Sequence, residues 1–364
     1  MGIFTLEALQ AAQGDCLLIH HGSERAPRFL VVDGGPGSAI YKRLLLPRLE
    51  ELRSRWTPEG PLPIPLVVCS HVDHDHIGGI IKLVEGVTPA PTDAVKIERL
   101  WHNSFRRLAP AAPERELRAA LSQSPLTASI GQGDRLYDAA GRAAVDINDG
   151  FPDGLVVAPA GDVAVYELGE LMLTILGPDQ AALDALRDKW QKAAATRGPD
   201  ELGALISGNN DDSIENLSSI VFLAEYGGLT MLLTGDARGD YILGSLERAG
   251  RLRGDGVDID VLKVQHHGSA HSCDSEFFAR VRARHYVISA DGRYDNPDRA
   301  TLEAIVTGRG ESGYTIWLTN RGEAGSELRR MLDAFERDHP HVDVIYRDVR
   351  EPSVKIDLAA TVGY

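Results

Sequence analysis

The six residues His71-Val72-Asp73-His74-Asp75-His76 constrain this chain more than any other feature. Four metal-competent side chains stand at 71, 73, 75 and 76, directly after the apolar run Leu66-Val67-Val68-Cys69. Imidazole and carboxylate groups together suit divalent cations. In an extended segment alternate residues share a face, so His71, Asp73 and Asp75 turn one way, and His76 joins them where the chain bends into a helix. One short loop at a strand end can therefore serve two metal ions. A solvated polar loop also uses Asp and His freely. It does not account for two imidazoles and two carboxylates at this spacing, followed by Gly78-Gly79 and an apolar helix.

With 364 residues, 43% of them hydrophobic, the chain can bury a substantial core. It reads as a single domain over 1–364, with an insertion at about 103–161 and a less typical C-terminal extension at about 321–364. The 38 Lys plus Arg against 53 Asp plus Glu leave a net charge of −15. That charge repels nucleic acid at long range unless basic residues are segregated around a site. Cys16, Cys69 and Cys273 are odd in number and far apart, which argues against a disulfide framework and for a reducing compartment. MGIFTLEALQ lacks the basic and apolar regions of a secretion signal, and no run approaches the ~18 apolar residues of a membrane span. A cytoplasmic protein with no membrane role is expected.

Strand-like and helical segments alternate: Ile3 to Leu9, Cys16 to His20, Phe29 to Val32, a helix from Ser38 to Arg55, Leu66 to Ser70, a helix from Ile80 to Val84, and Val95 to Trp101. The Ala-, Pro- and Gly-rich stretch from about Asn103 to Gly161 carries one helical segment near Pro113 to Leu121. A hairpin of Val163 to Tyr166 and Leu171 to Leu176 follows. A helix from Ala181 to about Ala195 then leads into the polar loop GNNDDSIEN. Ser219 to Glu225 and Leu229 to Thr234 form a second hairpin across Tyr226-Gly227-Gly228. Near the end come a helix over Ser326 to Arg337 and strands at Val342 to Tyr346 and Val354 to Leu358. Strand pairs flanked by helices, with no Gly-rich dinucleotide fingerprint, predict an α/β fold of two face-to-face sheets with helices outside.

Ser70 to Gly79, SHVDHDHIGG, resembles the HxHxDH signature of the metallo-β-lactamase fold, in the HxDxDH variant of ComEC-type hydrolase domains of DNA-uptake channels. The resemblance extends in order through AQGDC, Val32-Asp33-Gly34-Gly35, Ile175 to Pro178, Asn216 to Ser219, Leu233 to Asp236 and Leu262 to Ser269. It implies a four-layer αββα metallo-β-lactamase-like sandwich holding two divalent ions, zinc or manganese. Asp73, where the usual residue is His, makes the cluster oxygen-rich, favouring manganese or loosely held zinc.

The resemblance further implies that Asp236 bridges both metals; read on its own, Asp236 is an N-cap. Asp33, in a tight Asp-Gly-Gly turn, is expected to hold the metal loop by hydrogen bonds. His266 and His267 follow the strand Ile259 to Val264, and their HHGS motif resembles ComEC-type and phosphorylcholine-esterase-type members. One of them ligates or holds the scissile group and the other protonates the leaving oxygen, in an order the sequence leaves open. Two positions depart from the pattern. Gly177-Pro178-Asp179 stands where other members have His, leaving Asp179 as a weak ligand or a helix N-cap, and Asn296 stands where His is expected. The second metal is accordingly expected to be weakly held. His102, at a strand end, is a candidate substrate contact, and Lys263 reads as an edge or snorkelling residue.

The function expected is hydrolysis by a metal-bound hydroxide, with His71 and Asp73 on one ion, Asp75 and His76 on the other, and Asp236 between. A phosphodiesterase or nuclease fits best, since two dications stabilise both attacking and leaving oxygens. The chain's acidity points to a small phosphoester or short single strand over duplex DNA. The alternatives are a hydrolase of carboxylic esters, thioesters or lactones, and a non-catalytic nucleotide- or metal-binding module. A protein partner is conceivable through Arg106, Arg107 and the insertion.

Overall fold

The computed structural model describes residues 2–87, 93–108, 125–195, 214–310 and 312–364. The helical segment expected near 113–121 and most of the GNNDDSIEN loop lie outside these residues.

Two sheets pack face to face. The first has seven strands in the order Ser353–Asp357, Gly2–Leu9, Leu17–Ser23, Ala26–Val32, Leu66–Val68, Arg99–Trp101 and Asp146–Ile147. The second has eight: Asp343–Tyr346, Thr315–Leu318, Val281–Ile288, Val257–Lys263, Leu229–Leu233, Val221–Tyr226, Leu171–Gly177 and Val165–Leu168. Successive side chains on a strand point to opposite faces, and here both faces are apolar. Leu30 and Val32 enter the core between the sheets while Val31 packs outward beneath helices, and Leu66 and Val68 flank Val67 in the same way. In the second sheet, Met231 and Leu233 point inward and Leu232 outward. Strands buried on both faces read as continuous apolar runs rather than alternating ones, which explains FLVV, LVV and MLL in the sequence. The four-layer αββα sandwich is thus built as expected, with three cores separated by two sheets.

The hairpin turn between Val221–Tyr226 and Leu229–Leu233 pairs Tyr226 with Leu229. Gly227 and Gly228 both have positive φ, 59° and 84°, the geometry a two-residue turn needs to match strand twist.

Several boundaries differ from the sequence expectation. The helix after the metal loop spans His74–Glu85, so it begins at His74 instead of Ile80. The single strand expected at Val95 to Trp101 is two: Val95–Ile97 pairs with Leu62–Ile64, and Arg99–Trp101 joins the first sheet. The helix expected at Ser38 to Arg55 contains a π-helical turn over Tyr41–Leu45 before Leu46–Trp56. Pro47, at the start of the latter, lacks the N–H an uninterrupted α-helix would use. Within the stretch after residue 103, the helix Pro125–Arg142 packs on His74–Glu85, and Asp146–Ile147 closes the first sheet's edge. Near the C-terminus, Ser353–Asp357 pairs with Gly2–Leu9, and Ser326 Oγ caps the helix Glu327–Asp338.

Parallel pairing aligns the carboxyl ends of the strands that carry the candidate residues. Ala26–Val32 runs parallel to Leu66–Val68, and Leu229–Leu233 to Val257–Lys263. Asp33, His71, Asp236, His266 and His267 therefore emerge at carboxyl ends, where α/β sheets place their ligands.

Candidate metal centre

The metal loop is seated by its backbone and by one carboxylate. Asp33 Oδ1 accepts from the Ser70 N–H at 2.7 Å, and Oδ2 accepts from the Ser70 hydroxyl at 2.6 Å and from His76 Nδ1 at 2.8 Å. The following glycines let two backbones touch. Gly34 N–H donates to His76 O and Gly79 N–H to Gly35 O, each at 2.9 Å. A Cβ on Gly79 would lie 1.9 Å from Gly34 O, and one on Gly78 2.3 Å from Gly37 N. The Asp-Gly-Gly turn and the Gly78-Gly79 pair are two halves of one contact.

Around Asp236 the side chains converge. His76 Nε2 lies 3.3 Å from its Oδ1; His71, His267 and His266 Nε2 lie 3.6, 3.7 and 3.8 Å from Oδ2. His71 Nε2 is 3.8 Å from Asp73, and His267 Nε2 is 3.5 Å from Asp75. Asp236 does not cap a helix: the helix spans Gly239–Arg248 with Arg238 at its N-cap. Asp236 lies in the preceding turn, its N–H held by Ser219 Oγ at 3.2 Å.

Hydrogen-bond roles show what this arrangement wants. Ser70 donates its hydroxyl proton to Asp33, so its oxygen accepts from His71 Nδ1 at 3.0 Å. His76 Nδ1 faces the Asp33 carboxylate, and His267 Nδ1 faces the Ser289 carbonyl at 3.0 Å. All three Nδ1 atoms carry the proton, so all three Nε2 lone pairs point inward. His76 and His267 Nε2 meet at 3.1 Å, and His71 Nε2 and Asp236 Oδ1 are buried without a hydrogen-bond partner. Acceptors facing acceptors in a buried space repel, and unpaired buried polar atoms are costly. Positive charge at their focus satisfies them all. Ligand atoms of His71, His76 and Asp236 lie within 4.8 Å of one another. The donor set fits a divalent cation.

The titration behaviour follows. Burial disfavours the charged form of His76, but Asp236 and Asp33 outweigh it and drive the pKa well above the ordinary value. Burial is likewise outweighed at His267, where Asp236 and Asp15 lift it to about 10. Both shifts register the carboxylate charge that surrounds these two rings. His71 goes the other way, lowered to about 4 by burial and by His76. The Asp75 carboxyl, which its partial burial would raise, is held down at about 2 by His267 and His76.

The remaining candidates lie at different distances from this focus. His266 is the most open of its four imidazoles, 26% exposed, with Nδ1 2.9 Å from Ser272 Oγ and 3.5 Å from Asn216 Nδ2. Both His266 and His267 adopt left-handed backbone, φ 49° and 54°, a conformation uncommon outside glycine and concentrated at functional sites. His102 ends its strand but is buried beneath the helix Pro125–Arg142, with Nε2 3.3 Å from the Gly133 carbonyl. Asp179 Oδ1 accepts from the Ala182 N–H at 2.9 Å, an N-capping contact. Asn296 is buried next to Pro297, which packs on Gly268 of the HHGS loop. Lys263 is not an edge residue. It is buried in an interior strand, with Nζ 2.7 Å from Asp15. Asp15, within the AQGDC motif, is not marked by the sequence as a site residue, because no spacing links it to a loop so far along the chain.

No family model matches the chain. It is 34% identical over 101 residues to ComE operon protein 3 of Bacillus subtilis (strain 168), a match spanning 26% of this chain and 12% of that protein. Among solved structures, the metallo-beta-lactamase fold protein YhfI from Bacillus subtilis aligns over 97% of this chain and 99% of its own, at TM-score 0.37 and 11% identity. Unliganded yeast PDE1 aligns over 95% and 97%, at TM-score 0.41 and 10% identity. The fold is of the metallo-β-lactamase type. Its marks in this chain are the strand pairing, the three cores and the loop at the strand ends. Among the described residues no helix is long and apolar enough to cross a membrane.

Proposed function

We propose that this protein is a metal-dependent phosphodiester hydrolase acting on small phosphodiesters or short single strands. What carries the proposal is the focus around Asp236: three imidazole Nε2 atoms turned inward beside a buried carboxylate. In this reading His71 and Asp73 would hold one divalent ion and Asp75, His76 and His267 the other, with Asp236 in reach of both sets. The first set offers fewer protein donors and would hold its ion more weakly. Manganese or zinc there would supply Lewis acidity and a lowered pKa for bound water.

The chain's own residues do the rest. Asp33 keeps His76 turned inward, and the Ser289 carbonyl does the same for His267. His266 is the group placed to meet substrate. The Asn216 amide donates toward its Nδ1, leaving the proton on Nε2, 3.8 Å from Asp236 Oδ2, as the one to pass to a leaving oxygen. The net charge of −15 disfavours a long polyanion and favours a small one.

The test is metal content of the purified protein, followed by manganese- and zinc-dependent hydrolysis of bis-(p-nitrophenyl) phosphate by wild type, Asp75→Ala and Asp236→Ala. Bound metal, with turnover lost in both variants, supports the assignment. Turnover of acyl esters alone would replace it with a carboxylic ester hydrolase, and metal binding without turnover of any ester would replace it with a binding module.

A further inference from the structure

We infer that Asp15, braced by Lys263, is a positioning residue that holds the His267 ring with Nε2 turned into the metal centre. The inference rests on the assignment of His267 as a metal-holding residue.

Asp15 lies behind the ring. Its Oδ1 is 3.5 Å from His267 Nδ1 and has no hydrogen-bond partner of its own, while Oδ2 pairs with Lys263 Nζ at 2.7 Å. His267 Nδ1 thus faces two acceptors, Asp15 and the Ser289 carbonyl. The Ser289 carbonyl takes the hydrogen bond, and the Asp15 carboxylate beside it adds negative charge that keeps the Nδ1 proton on that side. Lys263 also donates to the Val264 carbonyl at 2.9 Å, which fixes the ammonium and, through it, the carboxylate.

The turn that carries Asp15 is wedged into the centre's framework. Asp15 N–H donates to Asp75 O at 3.2 Å, Gly35 N–H donates to Asp15 O at 2.6 Å, and the Ser289 hydroxyl donates to Gly14 O at 2.7 Å. A Cβ on Gly14 would lie 2.0 Å from Asp75 O. One turn therefore registers the Asp75 backbone, the Asp-Gly-Gly turn and the Ser289 end of the adjacent strand against His267.

Stability does not account for the pair. A buried ion pair seldom contributes more than well-packed apolar residues of the same volume would. Lys263 and Asp15 are both 1% exposed, so their presence calls for a role beyond packing.

The experiment compares wild type, Asp15→Asn, Lys263→Met and the double variant Asp15→Ala/Lys263→Met. Manganese affinity is read by chelator competition, and site geometry by the visible absorption of the cobalt-substituted protein. Circular dichroism confirms folding. The double variant removes both charges, so it escapes the penalty of leaving one buried charge unpaired. We expect it to fold and still to bind manganese roughly 10- to 100-fold more weakly than wild type, with an altered cobalt spectrum. If the pair were only structural, the double variant would bind metal with wild-type affinity and spectrum, and that result overturns the inference while leaving the hydrolase assignment standing. Failure of wild type itself to bind any metal would overturn both.

Discussion

Two buried clusters of histidine and carboxylate stand out among the described residues, and their difference separates a support from a site. On the outer side of the first sheet, the Glu7 carboxylate accepts from Arg48 Nε at 3.1 Å, the Ser353 hydroxyl at 2.6 Å and His20 Nε2 at 2.9 Å. Every group around it is a donor. Around Asp236 the neighbours are four imidazole Nε2 atoms, three of them with lone pairs inward, and two further carboxylates. Burial and residue types are alike; the direction of the hydrogen bonds is not. In the first cluster the carboxylate is fully met by donors, with only His20 Nδ1 left unpaired, whereas in the second the carboxylate and the rings that face it suit a cation.

The largest expected effect breaks the second cluster alone. Asp236→Ala should abolish metal binding and lower hydrolysis by on the order of 10³-fold. The sharper test of the contrast is stability. Manganese at 100 times its dissociation constant should raise the wild-type unfolding free energy by about 2.7 kcal/mol and leave Asp236→Ala unchanged. Equal stabilisation of both proteins would show that the ion binds elsewhere.

Next in size is a change that removes no polar group. Gly79→Ala puts a methyl 1.9 Å from the Gly34 carbonyl oxygen. A backbone cannot yield as a side chain can, so a loss of about 3 kcal/mol is expected in urea denaturation. Metal affinity should fall with it, because the same contact seats the loop. A stable variant that keeps its affinity would show that the Asp33 hydrogen bonds suffice.

Acid separates the clusters differently. Burial alone would raise the Glu7 carboxyl, but His20, Arg48 and Ser353 more than reverse this and hold it at about 2, below the ordinary 4.5. A depressed carboxyl contributes stability that is fully present above about pH 4.5 and is lost as pH falls toward 2. The full contribution is about 3 kcal/mol. Comparing wild type with Glu7→Gln should show that gap at pH 6 and see it close on acidification, with hydrolysis at neutral pH unaffected. A gap that does not change with pH would remove Glu7's charge from the account.

How much of this was legible beforehand depended on whether the signal was local. The loop from His71 to His76 follows an apolar strand directly, so ligand types and strand-end placement could be read together. The helix start could not: His74 and Asp75 look like loop residues until the Asp-Gly-Gly turn is seen docked on the glycines of that helix. The split of Val95 to Trp101 between two sheets was hidden for a related reason, since Glu98 interrupts nothing in the apolar pattern. Lys263 was misread because an interior strand rarely admits a lysine, and only its contact with Asp15, remote in sequence, makes it tolerable. Which of His266 and His267 turns inward depended on two successive left-handed residues, a backbone choice that composition does not announce.

That last point yields the finest of the tests. His267 is 4% exposed and faces Asp75, whereas His266 is 26% exposed and faces Ser272 and Asn216. If the inward ring holds metal and the outward ring serves the substrate, the two glutamine variants should part company. His267→Gln should lose metal and activity together. His266→Gln should keep its metal content and unfolding midpoint while kcat falls roughly 100-fold. It should regain part of that rate on substrates with a better leaving group, because a group that needs no proton gains nothing from a proton donor. Equal losses on good and poor leaving groups would instead make His266 a binding contact, and loss of metal from His266→Gln would place both histidines on the ions.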